Sequence, residues 1–354
     1  MKRLRIVHLD AGASWRGGQR QALLLALGLR DRGHEPFLIG TPDSPLVTRA
    51  RAAGLAVAAI PMNADWDIRA ARKIRARIRA WRADVVHAHD ARSHAVAMVA
   101  QLGRRDIPLV VTRRVAFTPR SVRVKYGDRV TRFIAISRAV RDAMVAGGID
   151  PGRIDVVHSG IPIAAGPIEP RDWRVERGWP ANSVICGVVG AMTAEKGVDL
   201  LKSIAGLLPS ESRDRARLVL LGGHARGAIA IGGIPAFSAG FVGEIDPAVA
   251  GLDVLLHPSR TEGLGTAVLD AMSLGVPPVA FGVGGLTEVI VNEESGLMVP
   301  AGDTAAFANA ADRLIRDSEL RHKLGSAART RARTFDAAEM TKGTEAVYYR
   351  VLSG

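Results

Sequence analysis

Val254-Leu255-Leu256-His257-Pro258-Ser259-Arg260-Thr261-Glu262-Gly263-Leu264-Gly265-Thr266-Ala267-Val268-Leu269-Asp270-Ala271-Met272 reads as three successive pieces of chain. A short apolar strand ends at His257, a loop with two glycines follows, and a helix opens near Thr266. A strand that passes through a glycine-bearing turn into a helix is the repeating unit of a parallel sheet, because parallel neighbours need a crossover. Glycine lets the loop backbone approach a ligand, and the helix start offers unpaired N–H groups and a positive dipole end to phosphate. Asp270 lies one helical turn beyond Thr266, so its carboxylate can face the same ligand and accept two hydroxyl hydrogen bonds, as a ribose diol supplies. The plain alternative is a turn followed by a helix that binds nothing.

The same unit recurs on both sides. The predicted strand Ser183–Val189 runs into Gly190-Ala191-Met192-Thr193-Ala194-Glu195-Lys196-Gly197, which puts Lys196 in the loop opening the next helix, where it can meet a diphosphate as a point charge. Phe281-Gly282-Val283-Gly284-Gly285-Leu286-Thr287-Glu288 repeats the design, with an acid placed to reach sugar hydroxyls. Towards the start, Arg5–Leu9, Pro36–Ile39, Asp84–Ala88, Leu109–Thr112 and Arg132–Ile136 read as strands, with helical patterns such as Gly18–Arg32 and Ser44–Ala53 between them. In the second half Arg217–Leu221 and Val279–Phe281 join them, and helices are expected to fill the gaps.

This alternation predicts an α/β protein of two doubly wound Rossmann-like domains facing across a cleft at the carboxyl ends of their sheets. A length of 354 residues suits two domains of roughly 100–200 residues each. Ser159–Pro170, with three prolines and two glycines, reads as the linker, so the domains are expected over 1–163 and 164–335. Ala305–Leu352 reads as consecutive helices with breaks near Gly325 and Phe335, the last stretch, 336–354, packing back on the first domain.

Composition excludes several classes. Apolar residues at 47% and charged residues at 23% can build a core, which argues against global disorder. The single cysteine, Cys186, sits in an apolar run and reads as a buried structural thiol. The first ten residues are too interrupted for a signal peptide, and no stretch approaches the roughly 18 apolar residues of a membrane span, so a cytoplasmic location is expected.

Charge is divided unevenly: residues 1–160 hold 29 Lys/Arg against 13 Asp/Glu, and residues 161–354 hold 19 against 22. A first half at +16 beside a second at −3 calls for an anionic surface or ligand facing the first. Trp66–Arg82 is a basic amphipathic helix, its apolar stripe of Ile68, Ala71, Ile74, Ile78 and Trp81 flanked by Arg69, Arg72 and Lys73 among seven cations. The stripe reads as core, and the arginine face as a surface for anionic lipid. Arg113–Arg132, beginning with Arg113 and Arg114, adds seven more cations.

Nucleic acid is set aside, since no recognition motif is present. No metal site is expected: among His87, His94, His158 and His257 only His87 pairs closely, with His89, and strand residues divide between two faces.

Taken together, Arg16-Gly17-Gly18-Gln19, Asp84-Val85-Val86-His87-Ala88-His89, Ile134-Ala135-Ile136-Ser137, Glu195-Lys196-Gly197, Gly240-Phe241-Val242-Gly243, the Glu262 segment and Gly284–Glu288 resemble the GT4-type retaining glycosyltransferases of GT-B fold over nearly the whole chain. The resemblance implies that Glu262 sits against the donor sugar, that Gly263, Leu264, Gly265 and Thr266 present backbone to the sugar and phosphates, and that Asp270 stands for the ribose-binding glutamate. It further implies that Lys196 neutralises the diphosphate, that Gly190, Val242, Gly284, Gly285 and Glu288 border the donor, and that Gly17 and Gly18 close over the phosphates. His89 looks like the histidine that touches the transferred sugar.

A nucleoside-diphosphate sugar is then a substrate, with no cofactor or metal. The acceptor is lipid-linked or phosphorylated and binds the first domain, and the chain sits peripherally on the inner face of the cytoplasmic membrane, with Arg69, Arg72, Lys73, Arg113 and Arg114 on the acceptor or membrane side. Two departures stand out. Asp270 is one methylene shorter than the usual glutamate, and Ala191 occupies the place of an arginine that often accompanies the lysine. Arg260, Arg113, Arg114 and Arg226 are the candidates to replace that charge. Alternatives left by the residues are a nucleotide-sugar epimerase of the same fold and a catalytically impaired membrane-associated binding protein.

Overall fold

A computed structural model describes residues 2–103, 106–115, 126–164 and 166–353. Two compact units result: Met1–Pro162 together with Asp336–Gly354, and Ile163–Phe335.

The first unit is built on seven parallel strands, β1 (Arg5–Asp10), β2 (Glu35–Gly40), β3 (Ala56–Ala59), β4 (Val85–Ala88), β5 (Leu109–Arg113), β6 (Arg132–Ala135) and β7 (Ile154–Val156), in the order β3-β2-β1-β4-β5-β6-β7. Ile6, Val7, Leu9, Val85, Val86 and Val110 are fully buried, because helices cover both faces of the central strands, while the edge strand β3 leaves Ala59 exposed. The order reverses between β1 and β4, where open α/β sheets place their ligands. Across that pair His8 lies beside His87.

Side-chain caps set where the helices begin. Asp67 accepts from Ala70 N–H at 2.9 Å to start Ile68–Trp81, and Asp90 closes a capping box with Ser93 at the start of Ala91–Ala100. In Ile68–Trp81 the buried stripe is Ala70, Ala71, Ile74 and Ile78, with Ile68 itself 59% exposed. The last helix, Ala337–Ser353, belongs to this unit: its Met340, Val347 and Tyr348 share a core with Leu4, Ile6, Leu25, Val85 and Val110. Glu345 on the same helix accepts from His34 Nε2 at 2.7 Å and from Arg32 at 2.5 Å.

The second unit carries β8 (Val184–Val189), β9 (Ala216–Ile231), β10 (Ile234–Gly240), β11 (Val254–His257), β12 (Pro278–Phe281) and β13 (Leu297–Val299), in the order β10-β9-β8-β11-β12-β13. Pairing is parallel throughout β9-β8-β11-β12-β13. Here the expectation of a helix after Arg217–Leu221 fails. The chain turns back on itself, and β10 runs antiparallel to the Gly227–Ile231 half of β9 while Ala236, Phe237 and Ser238 also lie beside Leu218, Val219 and Leu220. The reason is glycine: Gly222, Gly223, Gly227, Gly232 and Gly233 all have positive φ, and five such residues make a helix unaffordable. Gly232 and Gly233, at φ 58° and 85°, form the two-residue turn of the hairpin between Ile231 and Ile234.

A second correction concerns Gly325. The helix Ser318–Ala332 runs straight through it, and the break falls at Asp317, which accepts from Leu320 N–H at 2.9 Å. Gly325 is small because a Cβ there would meet Gly275 O at 2.2 Å. Cys186 is buried in the second core, and burial pushes its thiol up to about 12, as suits a structural residue. Among the described residues no helix is long and apolar enough to cross a membrane.

Candidate active site

In the second unit three loops at the carboxyl ends of β8, β11 and β12 meet. Arg260 N–H donates to Glu195 O at 2.9 Å, which ties the β11 loop to the β8 loop. Gly197 permits this contact, since a Cβ there would stand 1.8 Å from Pro258 O. On the other side Gly285 N–H donates to Glu262 O at 3.3 Å, and a Cβ on Gly284 would stand 1.9 Å from that same oxygen. A Cβ on Gly285 would likewise meet Gly263 O at 2.4 Å. The glycines of the β12 turn are therefore the seat on which the Glu262–Leu264 backbone rests.

At the centre, Lys196 Nζ donates to Glu262 Oε1, and His257 Nε2 donates to the same oxygen at 2.8 Å. Burial alone would push the Glu262 carboxyl up; the His257 hydrogen bond and charge, followed by Lys196, outweigh it and bring it down to about 2. Glu262 is thus a carboxylate that only accepts hydrogen bonds, and both donors sit on Oε1. Among the described residues Oε2 has no protein partner, although the side chain is only 9% exposed.

Gly265, at φ 93°, precedes the helix Thr266–Ser273, whose start carries no side-chain cap, and Asp270 lies buried in its second turn. Gly190, at φ 133°, ends β8 against Gly222, where a Cβ would stand 1.9 Å from Gly190 O. Val242 is half-buried just beyond β10, beside the 59% exposed Phe241, and Glu288 is half-buried on Leu286–Val289.

Two of the cations considered for the Ala191 position are already committed within the second unit. Arg260 pairs both its terminal nitrogens with Asp199 at 2.7 Å, and Arg226 Nε donates to Ala239 O at 2.9 Å. His257 was not singled out as a partner of Glu262 by its spacing alone; its place at the end of β11, five residues before an acidic loop residue, is the signal.

In the first unit the carboxyl ends of β1, β4 and β5 gather a second polar cluster. His8, His87 and His89 project from one face, because His87 and His89 are two residues apart and His8 is the register partner of His87. One ring nitrogen of each lies within 4.8 Å of the others', so the division of strand residues between two faces does not separate His87 from His89. Five of the six nitrogens have partners among the described residues: His87 meets Tyr348 Oη at 2.6 Å and Thr112 Oγ1 at 2.7 Å, His8 Nδ1 meets His89 Nε2 at 3.0 Å, and Arg114 Nη2 meets His89 Nδ1 at 3.3 Å. Burial brings His8 down to about 3 and holds His87 and His89 well below the ordinary imidazole range, so all three are neutral at pH 7.

Asp10 accepts from Gly12 N–H at 2.8 Å and Gln19 Nε2 at 3.0 Å; burial and then Asp90 push its carboxyl up. Gly17 opens the helix Gly17–Asp31, and a Cβ on Gly18 would lie 3.5 Å from Arg114 Cδ.

The basic surface divides. Arg69, Arg72 and Lys73 are exposed, as are Arg77, Arg79 and Arg82. Arg113 and Arg114 do not belong to that surface: Arg113 is 5% exposed over the Tyr126 ring and Arg114 is half-buried against His89, because both sit at the end of a central strand. The middle of the second basic stretch, 116–125, lies outside the described residues.

Two Rossmann-like α/β units, each gathering its polar residues at the carboxyl ends of its strands, define the architecture of GT-B glycosyltransferases. The chain superposes on the Anabaena Alr3699/HepE structure solved with UDP and glucose, with a TM-score of 0.83 over 97% of this chain and 99% of that one at 20% identity. It also superposes on WaaG, a glycosyltransferase involved in lipopolysaccharide biosynthesis, with a TM-score of 0.71 over 97% and 99% at 16% identity. Residues 15–165 match the Glycosyltransferase Family 4 model, and residues 170–331 match that of Glycosyl transferases group 1. The chain belongs to this GT4-type glycosyltransferase family. Among its relatives is the D-inositol 3-phosphate glycosyltransferase of Jonesia denitrificans, 29% identical over 304 residues that span 75% of this chain and 72% of the relative.

Proposed function

We propose that the chain transfers a hexose, with retention and without a metal, from a nucleoside-diphosphate sugar to a lipid-linked or phosphorylated acceptor at an anionic membrane surface. The observation that carries the donor half is the Lys196–Glu262–His257 constellation. It holds an ionised carboxylate with one oxygen turned to no protein group, beside a glycine turn and a helix start. Glu262 Oε2 accepts hydroxyls of the sugar. The N–H groups around Gly265 and Thr266 and the Lys196 ammonium face the diphosphate, where negative charge grows as the glycosidic bond breaks. Attack comes from the same face, and the leaving phosphate takes the acceptor's proton. UDP and glucose bound to the structural relative, and the inositol 3-phosphate of the sequence relative's name, support a nucleotide-sugar donor and a phosphorylated acceptor.

The membrane half rests on the six exposed cations of Ile68–Arg82 with Trp66 and Ile68 exposed beside them, a cytoplasmic protein attaching to the inner leaflet. Each cation near an anionic leaflet contributes about 1 kcal/mol. Incubation with UDP-, GDP- and ADP-sugars tests the reaction: slow hydrolysis of one donor supports transfer, while an epimerised sugar or no reaction with any donor overturns it. Equal sedimentation with anionic and neutral liposomes would refute the membrane half.

A further inference from the structure

The ring nitrogens of His89 are both engaged inside the first unit, and the chemistry of one neighbour fixes the proton positions. Arg114 can only donate, so His89 Nδ1, 3.3 Å from Arg114 Nη2, carries the lone pair. The proton of the neutral ring is then on Nε2, which donates to His8 Nδ1 at 3.0 Å. The His8 proton is left on its own Nε2, a buried atom without a partner among the described residues.

Arg114 is itself poorly matched. Among the described residues its Nε–H is buried without a partner, and its one hydrogen bond goes to a neutral ring at long range. The neighbouring carboxylates have other work: Asp10 holds Gly12 and Gln19, and Asp90 holds Ala11, Arg92 and Ser93. They attract Arg114 only through space, and burial outweighs them, bringing the guanidinium down to about 10, still charged at pH 7. A half-buried cation that no carboxylate hydrogen-bonds among the described residues, beside Gly18 at the start of Gly17–Asp31, has donors to offer an anion.

We propose that Arg114 masks His89 Nδ1, and that a phosphate-type oxygen bound by its guanidinium draws it off Nδ1 and frees that lone pair to accept a ligand hydroxyl. The exchange replaces a long bond to a neutral ring with shorter, charge-assisted bonds to an anion. It deepens the reading of the first unit as a ligand-binding half, and the phosphate could be the donor's diphosphate or that of a phosphorylated acceptor.

The test follows the imidazole nitrogens of His89 by NMR in protein labelled with 15N-histidine, assigned through His89→Gln, while UDP or inositol 3-phosphate is added separately. The expected result is a shift of Nδ1 with one of the two, and the effective probe names the source of the phosphate. Arg114→Gln is expected to hold Nδ1 in the unmasked position from the outset and to weaken that probe about tenfold or more, with Arg114→Lys recovering part of the affinity. An Nδ1 resonance unmoved by both probes, or moved equally in Arg114→Gln, overturns the gate. Donor hydrolysis measured on the same samples keeps the two ideas apart: hydrolysis with an unmoved resonance sinks only the gate, and a moved resonance without hydrolysis sinks only the transferase reading.

Discussion

At the scale of single residues, Glu262 and the three histidines make opposite use of burial. Glu262 is buried but charged, because His257 and Lys196 converge on one of its oxygens. Glu262→Gln removes the ion pair while keeping the shape, and kcat/KM for donor turnover should fall about 100-fold or more. The histidines are buried and neutral. Their folded values lie below the unfolded value near 6.5, so below that pH the unfolded chain takes up protons that the folded one refuses, and stability drops as pH falls from about 6.5 towards 3. Each adds up to about 1.4 kcal/mol per pH unit to that slope. Glu262 adds its own loss lower down: its stabilisation is full above about 4.5 and fades as pH falls through about 2. Urea midpoints at pH 7.5 and 5.5 should therefore differ, and His8→Phe should flatten the difference. An unchanged slope would show that His8 is protonated in the folded state.

At the scale of elements, glycines decide which loops touch, and their contacts separate function from stability. Gly284→Ala must move the backbone of Glu262, since the new Cβ would stand 1.9 Å from its oxygen at a φ of 53°. A loss of about 1–3 kcal/mol is expected, together with donor binding weakened beyond the unfolded fraction. Gly325→Ala crowds Gly275 O at 2.2 Å, past the C-terminal end of Thr266–Ser273 and so at the opposite end of that helix from Gly265. It should cost a similar amount in thermal denaturation while donor affinity per folded molecule stays as it was. The strand-to-helix units around Glu262, Lys196 and Gly284 were legible because glycine, an acid or base, and an apolar helix follow a β-branched run in order. The β9–β10 hairpin was equally written, in Ile231-Gly232-Gly233-Ile234, yet the doubly wound pattern argued for a helix there and masked it.

For the whole molecule, the return of the last helix to the first unit makes the chain's end part of a core that its beginning starts. Tyr348 is fully buried and bonded to His87, and Glu345 ties down Arg32 and His34. A chain ending at Phe335 should therefore lose hydrogen-exchange protection across β1, β4 and β5 while the second unit keeps its own. Uniform loss in both units would mean that their folding is coupled through more than this helix.

Period, punctuation and charge are local properties of a chain, and they sufficed for two Rossmann-like units, for the three glycine loops and for the basic face of Ile68–Trp81. What no local pattern contains is the partner of each polar group. That His8, His87 and His89 face one another, that Lys196 and His257 share one oxygen of Glu262, and that Arg113 is buried and Arg114 half-buried depend on which strands become neighbours. Sheet order brings together residues 81 positions apart, as with His8 and His89, and burial then sets their charge. Sequence carried the types of residue available to the site, and the packing of strand against strand chose their company.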